Sequence, residues 1–263
     1  MMDDVARYNR ERWNAMVTAN ALFTRPYLNL TRETARERGD PEGRLPDVAG
    51  WRVLCLAGGG GQQSVAFGLL GAKVSVLDLS QGQLERDRIA ALQVGLDTRT
   101  EEGDMRDLSR FAPASFDLVW QPYSLNFIPD ARVVFREVAR VLRVGGIYRF
   151  ACANPFVAGL TERDWDGQGY ALRRSYLEGA EITYPDQPWV YPRDPEVTEP
   201  IRPPREYRHG LGTLVNGLVE NGFRVDHVSE FVDVHPDPTA APGTWDHFVS
   251  VAPPWLTFWS TRG

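Results

Sequence analysis

The apolar run Val53-Leu54-Cys55-Leu56 passes into Ala57, then into four consecutive glycines, Gly58 to Gly61, and then into Gln62-Gln63 and a helical pattern. A second apolar run, Val74-Ser75-Val76-Leu77, ends on an acid, Asp78. Four glycines in a row remove every Cβ where the backbone approaches a partner closely, and a helix starting behind them points its unpaired N–H groups the same way. Asp78 stands 20 residues beyond Gly58, about where a carboxylate at the end of a second strand accepts hydrogen bonds from ribose hydroxyls. This predicts a strand–loop–helix–strand unit built around a nucleoside.

From Trp51 onward short apolar runs alternate with helical ones. Strands are predicted at 52–57, 73–78, 98–102, 116–121 and 147–152, and helices at 62–71, 81–95 and 131–143. Val134, Val138, Val141 and Leu142 mark one apolar stripe on the last of these helices. Such alternation gives a parallel sheet with helices on both faces. Residues 1–50 read as an amphipathic helical region carrying Tyr8, Trp13, Met16 and Leu22, followed by a polar loop at Arg36–Gly43.

Residues 155 to about 208 break the pattern. Seven prolines between Pro185 and Pro204 exclude regular structure near the end of the segment. Its aromatics (Trp165, Tyr170, Tyr176, Tyr184, Trp189, Tyr191 and Tyr207) argue against disorder. Regularity resumes with a helix from Leu211 to Asn221 closed by Gly222, a strand from Arg224 to Val232 and a terminal strand from Trp255 to Thr261. An insertion after the fifth strand sits at the C-terminal edge of the sheet, over the ligand crevice.

The glycine spacing selects among nucleoside cofactors. The dinucleotide pattern G-x-G-x-x-G fails in both registers, because Gln63 or Ser64 falls where the third glycine belongs. The pattern (G/A)-x-G-x-G fits at Ala57, Gly59 and Gly61, and three further strings follow in order: Gly103-Asp104-Met105, Ser115–Trp120, and Glu137–Leu142 leading to Gly145-Gly146. In these the chain resembles the class I S-adenosylmethionine-dependent methyltransferases, particularly the bacterial methyltransferase type 11 group, over roughly residues 50–155. The resemblance implies an α/β, Rossmann-like fold with a seven-stranded, mostly parallel sheet, helices on both faces and an aromatic- and proline-rich lid insertion. Four regions follow: a helical cap at 1–50, a cofactor-binding core at 51–154, the lid at 155–209 and the rest of the sheet at 210–263.

The implied cofactor is S-adenosylmethionine and the product S-adenosylhomocysteine. Ala57, Gly58, Gly59 and Gly61 would pack against its amino-acid part, Asp78 and Leu79 would hold the ribose side, and Asp104 and Met105 would bracket the adenine. Gln121 and Tyr123 follow the fourth strand, where family members place residues near the methyl group, and Tyr8 and Trp13 resemble aromatics that close over the cofactor. Two positions depart from the family pattern: Cys55 stands where many members carry an acid, and Ala57 replaces the first glycine.

Methyl transfer needs alignment and dryness more than a catalytic motif, with a base only where the acceptor carries a proton that must leave. His209, at the end of the lid, is the candidate base, together with Tyr123. Arg205 and Arg208 are candidates for binding a substrate carboxylate or phosphate, with Tyr123 and His209 beside them. No Cys/His cluster has metal-ligand spacing, so no metal is expected.

The formal charge of −6 and pI near 5.3 speak against general affinity for nucleic acid. No apolar run approaches the ~18 residues of a membrane span, and the N-terminus is unlike a signal peptide. The expectation is a cytoplasmic monomer or homodimer that methylates O or N of a small-molecule acceptor. Two other classes remain open at this stage: a methyltransferase-like protein that binds the cofactor without transfer, as a sensor or assembly factor, and a nucleic-acid or protein methyltransferase. An NAD-dependent oxidoreductase is disfavoured by the glycine spacing. Cys55 and Cys152, on strands separated by the fourth, are expected to be reduced.

Overall fold

The computed structural model describes residues 2–184, 190 and 201–263. Nine strands and seven α-helices are found among them. After α1 (Asp4–Thr18) and α2 (Arg32–Gly39) come β1 (Arg52–Leu56), α3 (Gln63–Leu69), β2 (Lys73–Asp78), α4 (Gln81–Gln93), β3 (Thr98–Glu102), β4 (Phe116–Gln121), α5 (Ala131–Val141) and β5 (Leu142–Ala153). The chain continues through β6 (Glu181–Thr183), β7 (Arg205–Tyr207), α6 (Leu211–Glu220), β8 (Phe223–Ser229), α7 (Trp245–Val251) and β9 (Trp255–Arg262).

Seven strands form one sheet in the order β3-β2-β1-β4-β5-β9-β8, parallel except where β9 runs antiparallel between β5 and β8. Alternation along the strands sends side chains to two cores. Leu54, Leu56, Val119, Phe150 and Phe258 pack against α5 and α6 through Phe135, Val138, Leu214 and Leu218. Val53, Cys55, Leu118, Trp120 and Trp259 face the other way, against Ala35 of α2 and Phe67 of α3. The predicted Rossmann-like, mostly parallel sheet is therefore present, and the helix ends are fixed locally. Asp3, Ser80 and Asp130 accept N–H groups of the first turns of α1, α4 and α5, and Gly222 follows α6 at φ 76°.

Three expectations are corrected, and one helix is new. β5 begins at Leu142 rather than 147 because Leu142 already pairs with Phe116; the register then shifts, and Gly145, at φ 72°, carries the chain through the irregularity before Ile147 pairs with Leu118. Leu142 thus leaves the helical stripe. β8 ends at Ser229 instead of Val232, and Asp233, at φ 58°, turns the chain away from the sheet. Helix α7 was not anticipated, although Thr244, whose hydroxyl accepts the His247 N–H, is an ordinary capping signal. β7 forms directly after Pro204 and pairs with β6 from Thr183↔Arg205 to Glu181↔Tyr207; a proline ahead of a strand removes no ladder hydrogen bond. Pro185, Pro188, Pro192, Pro195 and Pro200, with Trp189 and Tyr191, lie outside the described residues. Cys55 and Cys152 are free, buried thiols in opposite cores, and burial raises the pKa of both.

Candidate active site

Parallel strands bring their C-terminal ends to one edge, and a cavity of about 970 Å³ opens there. It is lined in strand order by Ala57 to Gly59 after β1, Asp78 and Leu79 at the end of β2, Gly103 after β3, Pro122 and Tyr123 after β4, and Ala153 of β5. The volume is at the upper end of the ~300–1,000 Å³ of small-molecule sites, room for a nucleoside cofactor and a second molecule.

Two buried carboxylates hold the glycine loop. Asp78 accepts the Gly59 N–H (3.1 Å) and the Ser80 N–H (2.8 Å), while Asp87 of α4 accepts the Gly60 N–H (2.8 Å) and the Ser64 hydroxyl (2.5 Å). Burial pushes Asp78 up to about 6 against the pull of its backbone hydrogen bonds. Burial likewise pushes Asp87 up to about 7, the charge on Asp78 adding to the shift. Gly61 lies outside the cavity wall: its carbonyl accepts the Tyr27 N–H at 2.9 Å, and its φ of 73° turns the loop into α3. Ala57 sits at φ 47°, a left-handed conformation that favours glycine. Ala57→Gly should therefore stabilise the ligand-free protein by roughly 0.5–1 kcal/mol, relief of strain exceeding the entropy cost of glycine; thermal denaturation checks it, and a lower Tm would refute strain at this position.

The remaining expected site residues divide. Met105 and Trp13 line the cavity, Trp13 standing edge-on to Phe127 at 5.8 Å. Asp104 does not reach it, because its carboxylate is clamped by Arg106, which also binds Asp3; Gly103 takes its place at the wall. Gln121 is buried beneath the floor, donating to Ser124 Oγ (3.0 Å) and Met105 Sδ (3.3 Å) and accepting from Tyr148 (2.5 Å). Tyr8 is also outside the wall: its hydroxyl donates to the Pro203 carbonyl and its ring lies under Arg202 and Arg205, tying α1 to the segment before β7.

At the aromatic end, Tyr123 lines the cavity and donates to Glu206 Oε2 at 2.7 Å, while Tyr184 donates to Glu206 Oε1 at 2.5 Å. Glu206 itself lines the cavity at 3% exposure. The other three candidates point elsewhere. Arg205 pairs with Glu181 across the β6–β7 ladder, and Arg208 is buried against the Ala158 carbonyl and the Tyr176 ring. His209 is buried with Nδ1 3.4 Å from Glu178 and Nε2 3.2 Å from the Leu125 carbonyl, fastening the start of α6 rather than facing the cavity.

Sequence reasoning missed Glu206, flanked by the noticed Arg205 and Tyr207, and Gln83, three residues into α4, whose buried Oε1 has no hydrogen-bond partner among the described residues and which lines the cavity beside Gly59. The fit to S-adenosylmethionine is chemical. Asp78 offers a carboxylate whose spare lone pairs suit the donors of a vicinal diol, glycines line the neighbouring wall, and Leu79 and Met105 offer apolar faces that suit a base. Among the described residues no group of His, Cys, Asp and Glu is arranged to hold a metal ion.

A methyltransferase-domain family model matches residues 54–150. An uncharacterized methyltransferase of Bacillus subtilis, YbaJ, is 34% identical over 234 residues, an alignment that takes in 85% of this chain and 89% of that one. A ubiquinone biosynthesis O-methyltransferase of Xanthomonas euvesicatoria is 33% identical over 100 residues, spanning 38% of this chain and 42% of its own. Among solved structures, an S-adenosylmethionine-dependent methyltransferase of Mesorhizobium loti superposes with a TM-score of 0.59 at 25% identity, covering 88% of this chain and 100% of that one. A fold match to a Listeria monocytogenes protein of the same description has a TM-score of 0.66 at 20% identity, with 88% and 98% covered. With the glycine loop, the acid ending β2 and the sheet order in place, the chain belongs to the class I S-adenosylmethionine-dependent methyltransferases.

Proposed function

We propose that this enzyme transfers the methyl group to an oxygen or nitrogen of a planar, largely apolar small molecule bound between Tyr123, Tyr184 and Trp255. The observation that carries this reading is the continuity of the cavity from the Asp78 end to an aromatic end where Glu206 is buried between two tyrosine hydroxyls. The name of the Xanthomonas relative, an O-methyltransferase matched over the cofactor half, supports the choice of atom. The acidic net charge of −6 favours a small molecule over nucleic acid. No described helix is long and apolar enough to cross a membrane.

The chemistry drawn from the cofactor is displacement at its methyl carbon, in line with the departing thioether. Asp78 binds the ribose hydroxyls, and Leu79 and Met105 enclose the base. Trp13 and Phe127 exclude water from the middle of the cavity. Tyr123 orients the acceptor, and Glu206 receives the proton lost from an acceptor hydroxyl or amine, directly or through the Tyr123 hydroxyl. Burial and the charge on Glu206 raise the Tyr123 pKa far above its usual value, so the phenol stays a donor at neutral pH. The described residues 155–184 and 201–209 act as the lid over this end, held to α1 through the Tyr8–Pro203 contact.

A panel of phenols and aromatic amines should yield a monomethylated product, read by mass spectrometry. With that acceptor, Glu206→Gln should lower kcat by roughly 100-fold or more, the usual contribution of a positioned proton acceptor, while S-adenosylhomocysteine affinity stays within about twofold. An unchanged kcat would remove Glu206 from the chemistry. No turnover across the panel, with cofactor binding intact, would defeat the small-acceptor reading.

A further inference from the structure

Arg149 is a charge without a counter-ion among the described residues. It lies on β5, in a row that crosses the sheet from Trp120 to Arg149 to Trp259, on the face packed against α2 and α3. The residue is 6% exposed, and its guanidinium carbon stacks 4.2 Å over the Trp120 ring. Its Nε is buried with no hydrogen-bond partner, and Nη1 reaches only the Gln121 carbonyl, at a long 3.5 Å. It makes no ion pair with any described residue.

The acids that surround it at longer range are Asp40, Glu42 and Asp233. Asp40 is committed to the Arg44 and Leu45 N–H groups and to Arg36, and Glu42 to Ser229 and the Trp259 indole. Asp233 lines the cavity beyond ion-pair distance of Arg149. A guanidinium is charged at any physiological pH, so burying one without a carboxylate is unfavourable unless something else pairs with it.

The cavity supplies the place. Arg149 lines it, and so do Ala151, Ala153 and Thr257, the small side chains that follow it towards the C-terminal end of β5. Gln121, whose carbonyl Arg149 touches, immediately precedes Pro122, and the Pro122 ring abuts Gly58 of the cofactor loop. The charged group therefore stands at the junction of the cofactor and acceptor ends. Planar, bidentate donors in this setting fit a carboxylate.

We propose that Arg149 is the anion-binding residue of the active-site cavity and takes a carboxylate, carried either by the amino-acid end of the cofactor or by the acceptor. The second source rests on the small-acceptor reading above; the first does not. Calorimetric titration of the wild type and Arg149→Gln separates them. If the cofactor carries the carboxylate, the variant binds S-adenosylhomocysteine at least tenfold more weakly yet binds 5′-methylthioadenosine, which lacks the amino-acid end, as the wild type does. If the acceptor carries it, both nucleosides bind the variant normally. Benzoate, phenylacetate or 4-hydroxybenzoate then binds the wild type saturated with S-adenosylhomocysteine and fails to bind the variant, while the matching amides do not discriminate.

Nucleoside and carboxylate binding all unchanged by Arg149→Gln would overturn the proposal. The ligand-free variant should melt at or above the wild-type temperature, since an unpaired buried charge has been removed. A clear drop in Tm would instead mark Arg149 as a structural partner of Asp40, Glu42 and Asp233, and would also overturn it. These readouts are of binding and stability, so they stand whether or not the acceptor panel finds turnover.

Discussion

Asp78→Ala should lose at least 100-fold in affinity for S-adenosylhomocysteine. The substitution removes a charged acceptor for two ribose hydroxyls, and hydrogen bonds to charged groups are worth about 1.5–3 kcal/mol each, so a loss of roughly 3–6 kcal/mol is expected. It also leaves the buried Gly59 N–H without its acceptor, loosening the loop that must approach the ligand. Asp78→Asn removes the charge and keeps one of the two acceptor oxygens, leaving either the Gly59 or the Ser80 N–H unpaired at about 1–3 kcal/mol, and it separates binding from folding. The folded-state pKa, about 6, is raised from 3.8 chiefly by burial. Its contribution to ligand-free stability is thus fully present below the unfolded value and is lost as pH rises through about 6, a cost of roughly 3 kcal/mol at neutral pH by linkage. Ligand-free Asp78→Asn should then melt at or above the wild type at pH 8 while binding the cofactor poorly. Wild-type affinity should be flat above about pH 7 and fall below pH 6, a dependence absent from the variant. Micromolar binding retained by Asp78→Ala would sink this account of the pocket.

Much of this end of the molecule was legible because its constraints are local in sequence. The apolar run, the glycines and the acid closing the second run fall within 26 residues, Val53 to Asp78, and each reports on its own backbone. The carboxylate that completes the grip, Asp87, was not legible, because its role depends on α4 folding back over the loop so that it meets Gly60 and Ser64. The aromatic end is harder for the same reason. Tyr123, Tyr184 and Glu206 converge from the end of β4, the stretch after β6 and the middle of β7, and no periodicity links them. His209 and Arg208 read as candidates from their place at the end of the lid and from the chemistry of imidazole and guanidinium. Their burial against the Leu125 and Ala158 carbonyls is a tertiary fact with no sequence signature. The family resemblance puts Asp104 on the wall, yet Arg106, two residues on, takes its carboxylate.

Gly61→Ala should be the most damaging single-methyl change in the loop, although Gly61 never touches the cavity. Its φ of 73° is a conformation that costs a non-glycine residue about 1–2 kcal/mol. A Cβ there would stand 2.8 Å from the Ala90 Cβ, 2.8 Å from the Pro26 Cβ and 3.1 Å from the Arg86 carbonyl oxygen. None of the three is the end of a flexible side chain, so α4 or the Arg25–Tyr27 segment has to move, adding about 1–3 kcal/mol of overpacking. The sum, roughly 2–5 kcal/mol, corresponds to a Tm lower by about 5–15 °C for a chain of this size. Gly59→Ala provides the contrast. Gly59 has no positive φ, and its added Cβ would press on the Gln83 Cβ at 2.7 Å and the Asp78 carboxylate at 3.1 Å. It should therefore cost less stability and more cofactor affinity. Thermal denaturation and titration with S-adenosylhomocysteine, run on both variants, should rank them in opposite orders. The same order in both assays would mean that the loop's conformation and its contact with the cofactor are not separable.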